Sequence, residues 1–321
     1  MLQSCLKYVF KRLNTPAIKE DVHPFTLQAY EDMLTLAWEA FYTSNAQKAV
    51  SAVDHWMLFL KEQINLVDTM TSRKRILTFL CRFLQLRSVL ARDRIDFPYA
   101  FSSIYEAIAL AFQLEDVELI ASSLYRRAKL YAAQQHYELA VPDLEATLPY
   151  ARRSQSPLRC YISMFLAEVY SLFAPQNKEF FQKSLEHLDR VDRDVREKDV
   201  LEGDGSFVKV DTSGLYMIRG DVLRRNGEIH EAHNALNIVR ESLPKEFTRW
   251  QGNLNLSTSQ LFLAEGDVTN SCKQIHNALD IFQATGSRCG LAKTQRIYQT
   301  IHNAEPEHSE VKELGIRLSI L

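Results

Sequence analysis

Glycine and proline are scarce in this chain, 10 and 9 in 321 residues. A β-rich fold draws on both for its tight turns, so long helices with short connections fit better. Cysteine is equally thin. Cys5, Cys81, Cys160, Cys272 and Cys289 are odd in number, widely scattered and free of any C-x-x-C pair. That argues against a disulfide framework or a thiolate zinc site and suits a reducing, cytoplasmic setting. No sign of charge dominates: 38 Lys and Arg against 40 Asp and Glu leave a net charge of −2, without the basic footprint of non-specific nucleic-acid binding. No apolar run approaches the ~18 residues of a membrane helix. Met1–Leu13 is a short basic amphipathic segment, with Leu2, Leu6, Val9, Phe10 and Leu13 apolar. It lacks the continuous apolar stretch and small-residue cleavage site of a secretory signal. A soluble protein without a membrane partner is expected.

What is present is a repeating helical pattern. In Tyr216–Pro244, large Tyr216 precedes small Gly220 and large Leu223, Gly227-Glu228 marks a turn, and small Ala232 falls twelve residues after Gly220. Leu236 and a closing Pro244 complete the unit. A residue without a large side chain at 220 lets one helix approach the next closely, and Ala232 is its counterpart. Gly227 suits the left-handed position at a helix C-terminus. The same template fits Leu124–Thr147, through Leu124, Ala128, Tyr131, a turn at His136-Tyr137, Ala140 and Leu144. It fits Asn255–Ala278 less fully, through Phe262, Gly266-Asp267, Ser271, Ile275 and Ala278, and Thr26–Lys61, through Ala37, Ala40, Ala49 and Val53. Tyr161–Leu188 starts in register with Ala167 and Tyr170, before Pro175-Gln176-Asn177 distorts its turn. Leu77–Phe112 reads as two long helices joined around Asp96-Phe97-Pro98, and Gly290–Leu318 as a polar C-terminal cap.

These units resemble the tetratricopeptide repeat, paired helices recurring every ~34 residues. The resemblance implies an all-α, right-handed α-solenoid of about seven stacked hairpins with a concave surface lined by the first helix of each pair. Residues 1–24 read as an N-terminal extension, 25–195 as the first run of repeats and 215–321 as the second run with its capping helices. Between them, residues 196–214 are rich in Asp and Gly and long for a hairpin connection. Asp204 and Asp211 lack the regular acidic spacing of a calcium loop. An exposed connection is expected there, with a lid over the groove as the alternative.

Catalysis finds few candidates. His230-Glu231-Ala232-His233 places its histidines three apart, not the four of a zinc-protease helix, and no third ligand follows. Gly286-Ser287-Arg288-Cys289-Gly290 has neither the spacing nor the Lys-Ser/Thr of a phosphate loop. Cys160 and Cys289 read as scattered thiols. No enzyme, metal or cofactor is indicated. The basic run Arg73-Lys74-Arg75, with Arg82, Arg87, Arg92 and Arg94, is the strongest charge feature. Beside Asp93 and Asp96 it reads as a solvated face, so direct nucleic-acid contact is not expected.

The resemblance also implies which side chains face the groove. Counted from the small residue of each first helix, they lie two and three before it and one, four and five after it. Tyr125, Arg126 and Lys129 take such positions around Ala128, and Phe165 and Glu168 around Ala167. Met217, Asp221, Arg224 and Arg225 take them around Gly220, and Gln260 in the next unit. Cations, acids and large apolar groups alternate, a mixture suited to an extended peptide or protein segment. The Lys/Asn pattern with which chaperone-binding members clamp a C-terminal carboxylate is absent. The run Gln260–Asp267, then Ala278–Phe282 and Ala284–Ser287, resembles the last repeats of bacterial regulators that couple a DNA-reading helix-turn-helix to a tetratricopeptide sensor. Residues 1–60 show no such reader. The reading is a non-catalytic peptide- or protein-binding module, bacterial and regulatory by that resemblance. The alternative is a structural adaptor or self-associating scaffold subunit, a homo-oligomer.

Overall fold

The computed structural model describes residues 24–43, 47–67, 69–153, 156–175, 177–197, 207–208 and 210–319. Among them fourteen helices follow one another with no strand. They are α1 (Pro24–Thr43), α2 (Gln47–Ile64), α3 (Met70–Asp93), α4 (Phe97–Leu114), α5 (Val117–Ala133), α6 (Tyr137–Ala151) and α7 (Ser156–Ser171). The second half continues with α8 (Lys178–Glu197), α9 (Thr212–Arg225), α10 (Ile229–Ser242), α11 (Thr248–Ala264), α12 (Val268–Thr285), α13 (Arg288–Ala304) and α14 (Ser309–Ser319). They pair into seven hairpins, α1/α2 through α13/α14, as the repeat pattern requires.

A twelve-residue spacing of small residues shapes five of the seven hairpins; in α7/α8 the position twelve after Ala167 is the exposed Glu179. Ala37 and Ala49, Ser88 and Ala100, Ala128 and Ala140, and Ser259 and Ser271 are all at most 5% exposed. The Ser259 and Ser271 hydroxyls lie 2.9 Å apart in a hydrogen bond, so the two helix backbones are nearly in contact. At Gly220 a Cβ would stand 2.8 Å from Leu236. Ser88 and Ala100 extend the register to the long α3/α4 pair, where the sequence match is weakest. Large side chains fill the space on either side of these contacts in a nearly continuous core from Tyr30 to Leu314.

The turns share one hydrogen-bond plan. Asp96 N donates to Ala91 O (2.9 Å), His136 N to Tyr131 O (2.9 Å), Glu228 N to Leu223 O (3.0 Å) and Asp267 N to Phe262 O (2.9 Å). Each is the 6→1 bond of a helix C-cap whose penultimate residue is left-handed. That residue is Gly227 (φ 83°) or Gly266 (φ 80°) in two hairpins, but Gln135 (φ 66°) and Ile95 (φ 63°) in the others. Two of the following helices start on side-chain caps, α4 with Asp96 accepting from Tyr99 N (3.2 Å) and α12 with Asp267 accepting from Asn270 N (3.0 Å), whereas His136 and Glu228 make no such bond.

The odd-numbered helices pack on one another in succession and form the inner layer; the even-numbered helices lie outside. The array then closes. Helix α11 returns to α1, and α13 to α3, so the concave face becomes a closed interior, the candidate channel.

Ile95 is 41% exposed and a β-branched residue in left-handed backbone, which costs roughly 1–2 kcal/mol. Ile95→Asn is expected to raise the urea-unfolding free energy by about 1 kcal/mol, because Asn tolerates this conformation and little burial is lost. Gly227→Val is expected to lower it by at least about 1 kcal/mol.

Candidate binding channel

The channel is tied shut by one buried polar cluster. Asp93, the last residue of α3, is 6% exposed, and Arg249, in the first turn of α11, is 6% exposed. Their side chains meet at 2.8 Å across 156 residues of sequence. The same Asp93 oxygen accepts from the Ser287 hydroxyl (2.6 Å), and Ser287 in turn caps α13 by accepting from Gly290 N (3.1 Å). Arg249 also donates to Thr285 O (3.2 Å) and stacks its guanidinium 5.0 Å from the Phe41 ring centroid. Close by, the Thr248 hydroxyl reaches Thr43 O (3.4 Å). Two buried charges are costly unless their remaining donors and acceptors are filled; Ser287 and Thr285 O fill two of them, while Arg249 Nε finds no acceptor among the described residues.

Within the channel, α1 faces α5 and α7. Trp38 lies under Arg126, whose guanidinium is 5.2 Å from the indole centroid and 5.5 Å from Tyr125. Tyr125 meets Tyr161 and Phe165 edge-on, and Lys129 Nζ sits 4.2 Å from the Phe165 centroid, a cation–π contact. Tyr42 is half-buried against this cluster, and the loss of water around its hydroxyl raises its pKa well above the ordinary tyrosine value. Burial likewise raises Tyr125.

The chain itself enters this space. Phe207 stacks on Trp38 with ring centroids 5.9 Å apart and planes 8° from parallel, and Tyr42 donates its hydroxyl to Phe207 O (2.9 Å). Phe207 packs against the N-terminal core, Val208 joins the middle cluster with Tyr125 and Phe165, and Val210 joins the C-terminal one. An exposed connection was the expectation for 196–214. At Phe207, Val208 and Val210 it does not hold: apolar side chains have a better environment between the two halves of the array than in water.

The ten residues expected in the groove are therefore distributed unevenly. Tyr125 (6% exposed), Arg126 (3%), Phe165 (4%) and Met217 (8%) lie in the inner layer but are covered by the protein's own chain. Lys129, Glu168, Asp221, Arg224, Arg225 and Gln260 are half-buried and mostly linked across helices. Arg224 donates to Gln260 Oε1 (3.0 Å) and Ser257 to Asp221 (3.1 Å). Arg225 donates to the Ser171 hydroxyl (2.6 Å). Burial lowers the Arg224 pKa, with Asp221 opposing the shift. The residues that tie the channel, Asp93, Arg249 and Ser287, are not among the ten, nor are Trp38 and Tyr42. The offsets that found the others also reach Trp38, Phe41 and Tyr42 from Ala37, and Arg92 and Asp93 from Ser88.

His233, the Cys160 thiol and the basic run each have near neighbours in the fold. His230 is exposed and His233 pairs with Glu265 (2.8 Å). The Cys160 thiol lies 3.3 Å from an Asp194 oxygen, and no three metal-ligating side chains cluster among the described residues. In the basic run, Arg82 pairs with Glu31 (3.4 Å) and Arg87 with Ser103 (2.9 Å). No described helix is long and apolar enough to cross a membrane.

No protein-family model matches the chain, and no curated protein does. Solved structures do. BtubC (BKLC) from P. vanneervenii superposes with a TM-score of 0.50 at 14% identity, over 75% of this chain and 92% of that one. A kinesin light chain with nearly identical tetratricopeptide-like repeats, from Podosopora anserina, gives 0.41 at 19% identity, over 68% and 95%. The P58(IPK) tetratricopeptide domain gives 0.28 at 13%, over 91% and 78%. The likeness to BtubC shows the fold alone, an all-α solenoid of stacked helical hairpins.

Removing one member of the buried pair leaves the other charged and unsatisfied, at a cost of roughly 3–5 kcal/mol. Asp93→Ala is expected to destabilise the protein by about that much in urea unfolding. Adding Arg249→Met, which removes the stranded cation, is expected to recover most of the loss.

Proposed function

We propose that the chain is a non-catalytic interaction module that holds an extended protein or peptide segment along its inner layer. The observation that carries this reading is the lining itself. Aromatic rings from α1, α5 and α7 stand beside the cations Arg126, Lys129 and Arg249. Arg224 and Arg225 follow on α9 with Gln260 and Ser171 as partners, and Asp93, Glu168 and Asp221 are the counter-charges. Arg92 adds a further cation within electrostatic reach of Tyr42, Tyr125 and Tyr161. Cations outnumber acids along the channel, which favours a segment with acidic side chains, while the rings offer places for its apolar ones. Side-chain amides and hydroxyls such as Gln260 and Tyr42 suit its backbone. A regulatory or sensor role, in a bacterium's cytoplasm, extends this reading along the resemblance of residues 260–287 to bacterial regulators.

The scaffold reading has one observation in its favour. Leu58 (65% exposed), Leu66 (55%) and Met70 (80%) place large apolar side chains outside the core within a short stretch of the N-terminal hairpins. An exposed apolar surface of this kind is a candidate for self-association.

Two measurements separate the readings. In capture from a native lysate read by mass spectrometry, Lys129→Gln with Arg225→Gln is expected to lose at least about 90% of the specific partner, while exposed Lys183→Gln on α8 loses none. Equal capture by all three proteins would sink the channel as the binding surface. Light scattering is expected to show a monomer. A dimer that reverts to monomer on Leu58→Asp with Met70→Asp would favour the scaffold instead.

A further inference from the structure

The space between α1 and α5 is built for a particular pair of side chains, and the chain's own Phe207-Val208 shows which. One wall is Trp38, backed by the Arg126 guanidinium; the other is Tyr125 with Phe165, against which Val208 packs. Tyr42 supplies a hydrogen bond to the backbone carbonyl of the aromatic residue. An aromatic side chain followed by a β-branched one therefore satisfies three independent features of the site: a flat stacking face, an aliphatic-aromatic wall and a directed hydroxyl donor.

The resident segment fits with two defects. Phe207 adopts φ 58°, a left-handed conformation that a bulky residue tolerates poorly. The Trp38 indole N–H is buried, in a side chain only 4% exposed as a residue, and finds no acceptor among the described residues. A buried donor without a partner loses its hydration and gains nothing in exchange. A segment in ordinary extended backbone, carrying a carbonyl within reach of that indole, corrects both.

We infer that the Trp38–Tyr42–Arg126 pocket is a recognition site for a partner segment bearing an aromatic residue followed by a β-branched aliphatic one, and that Phe207-Val208 occupies it in cis as a competing pseudo-ligand. This deepens the proposed function and rests on that reading. The tethered segment competes at an effective concentration in the millimolar range, so a partner is held only when its other contacts along the channel outweigh that competition. Partner selection then depends on the aromatic step as well as on charge.

The test uses the full chain and the capped dipeptide N-acetyl-Phe-Val-amide, with binding followed by intrinsic tryptophan fluorescence and calorimetry. Phe207→Ala is expected to bind this probe at least about tenfold more tightly than the unsubstituted protein. Adding Tyr42→Phe is expected to remove most of the gain, since it deletes the carbonyl's donor and keeps the ring. Equal probe affinity with and without Phe207, in variants that keep their helical circular dichroism, would overturn the inference. So would a fall in Tm of more than about 10 °C in Phe207→Ala, which would make Phe207 core and not a displaceable occupant. Probe binding alongside unchanged lysate capture in the charge variants would contradict the functional reading alone, and lost capture without probe binding would contradict only this pocket.

Discussion

The array depends on how closely two helices approach at the small residues of five of its seven hairpins. Ala37 on Ala49, Ser88 on Ala100, Ala128 on Ala140 and Ser259 on Ser271 bring paired helices together at the same height. Repetition of one close contact gives repetition of one inter-helix geometry, and a constant geometry stacks hairpins into a curved array. The curvature in turn decides which face of each odd-numbered helix points inward. A larger residue at any of these positions would spread one hairpin and shift every inward-facing side chain beyond it.

Curvature carried far enough brings the ends together, and this changes the energetics. In an open solenoid each repeat contacts only its neighbours, and stability is close to a sum over adjacent pairs. Here α11 meets α1 and α13 meets α3, with Asp93, Arg249 and Ser287 at the joint. A buried ion pair contributes little net stability relative to an apolar pair of the same shape, but it is intolerant of partial opening. The joint therefore selects one closure geometry. The channel is joined at Asp93 and lined by half-buried polar links farther along, at Arg224–Gln260 and Arg225–Ser171.

Local spacing made the hairpins legible in sequence, since Gly220/Ala232 and Ala128/Ala140 carry their meaning within one unit. The inward-facing positions around Ala128, Ala167 and Gly220 came from the tetratricopeptide resemblance and not from the spacing itself. What stayed hidden depends on contacts between distant segments. Asp93 stands among arginines in the chain and reads as part of a solvated charged face, yet its partner is 156 residues away. Phe207-Val208 lies in a polar, glycine-rich stretch that looks like an exposed connection, and only the closed array gives its apolar side chains a place to go. Trp38 and Tyr42 were reachable by extending the offsets to Ala37, a step the weaker first repeat does not invite.

Closure of the array is the premise from which the channel, its resident segment and its proposed partner all follow. A distance distribution between spin labels at Glu39 on α1 and Lys245 before α11, both exposed, tests it directly in protein whose Cys5 and Cys289 are replaced by serine. A closed array predicts one short, narrow distribution that broadens toward longer distances when Asp93 is replaced by alanine. A long, broad distribution in the unsubstituted protein, unchanged by Asp93→Ala, would contradict it.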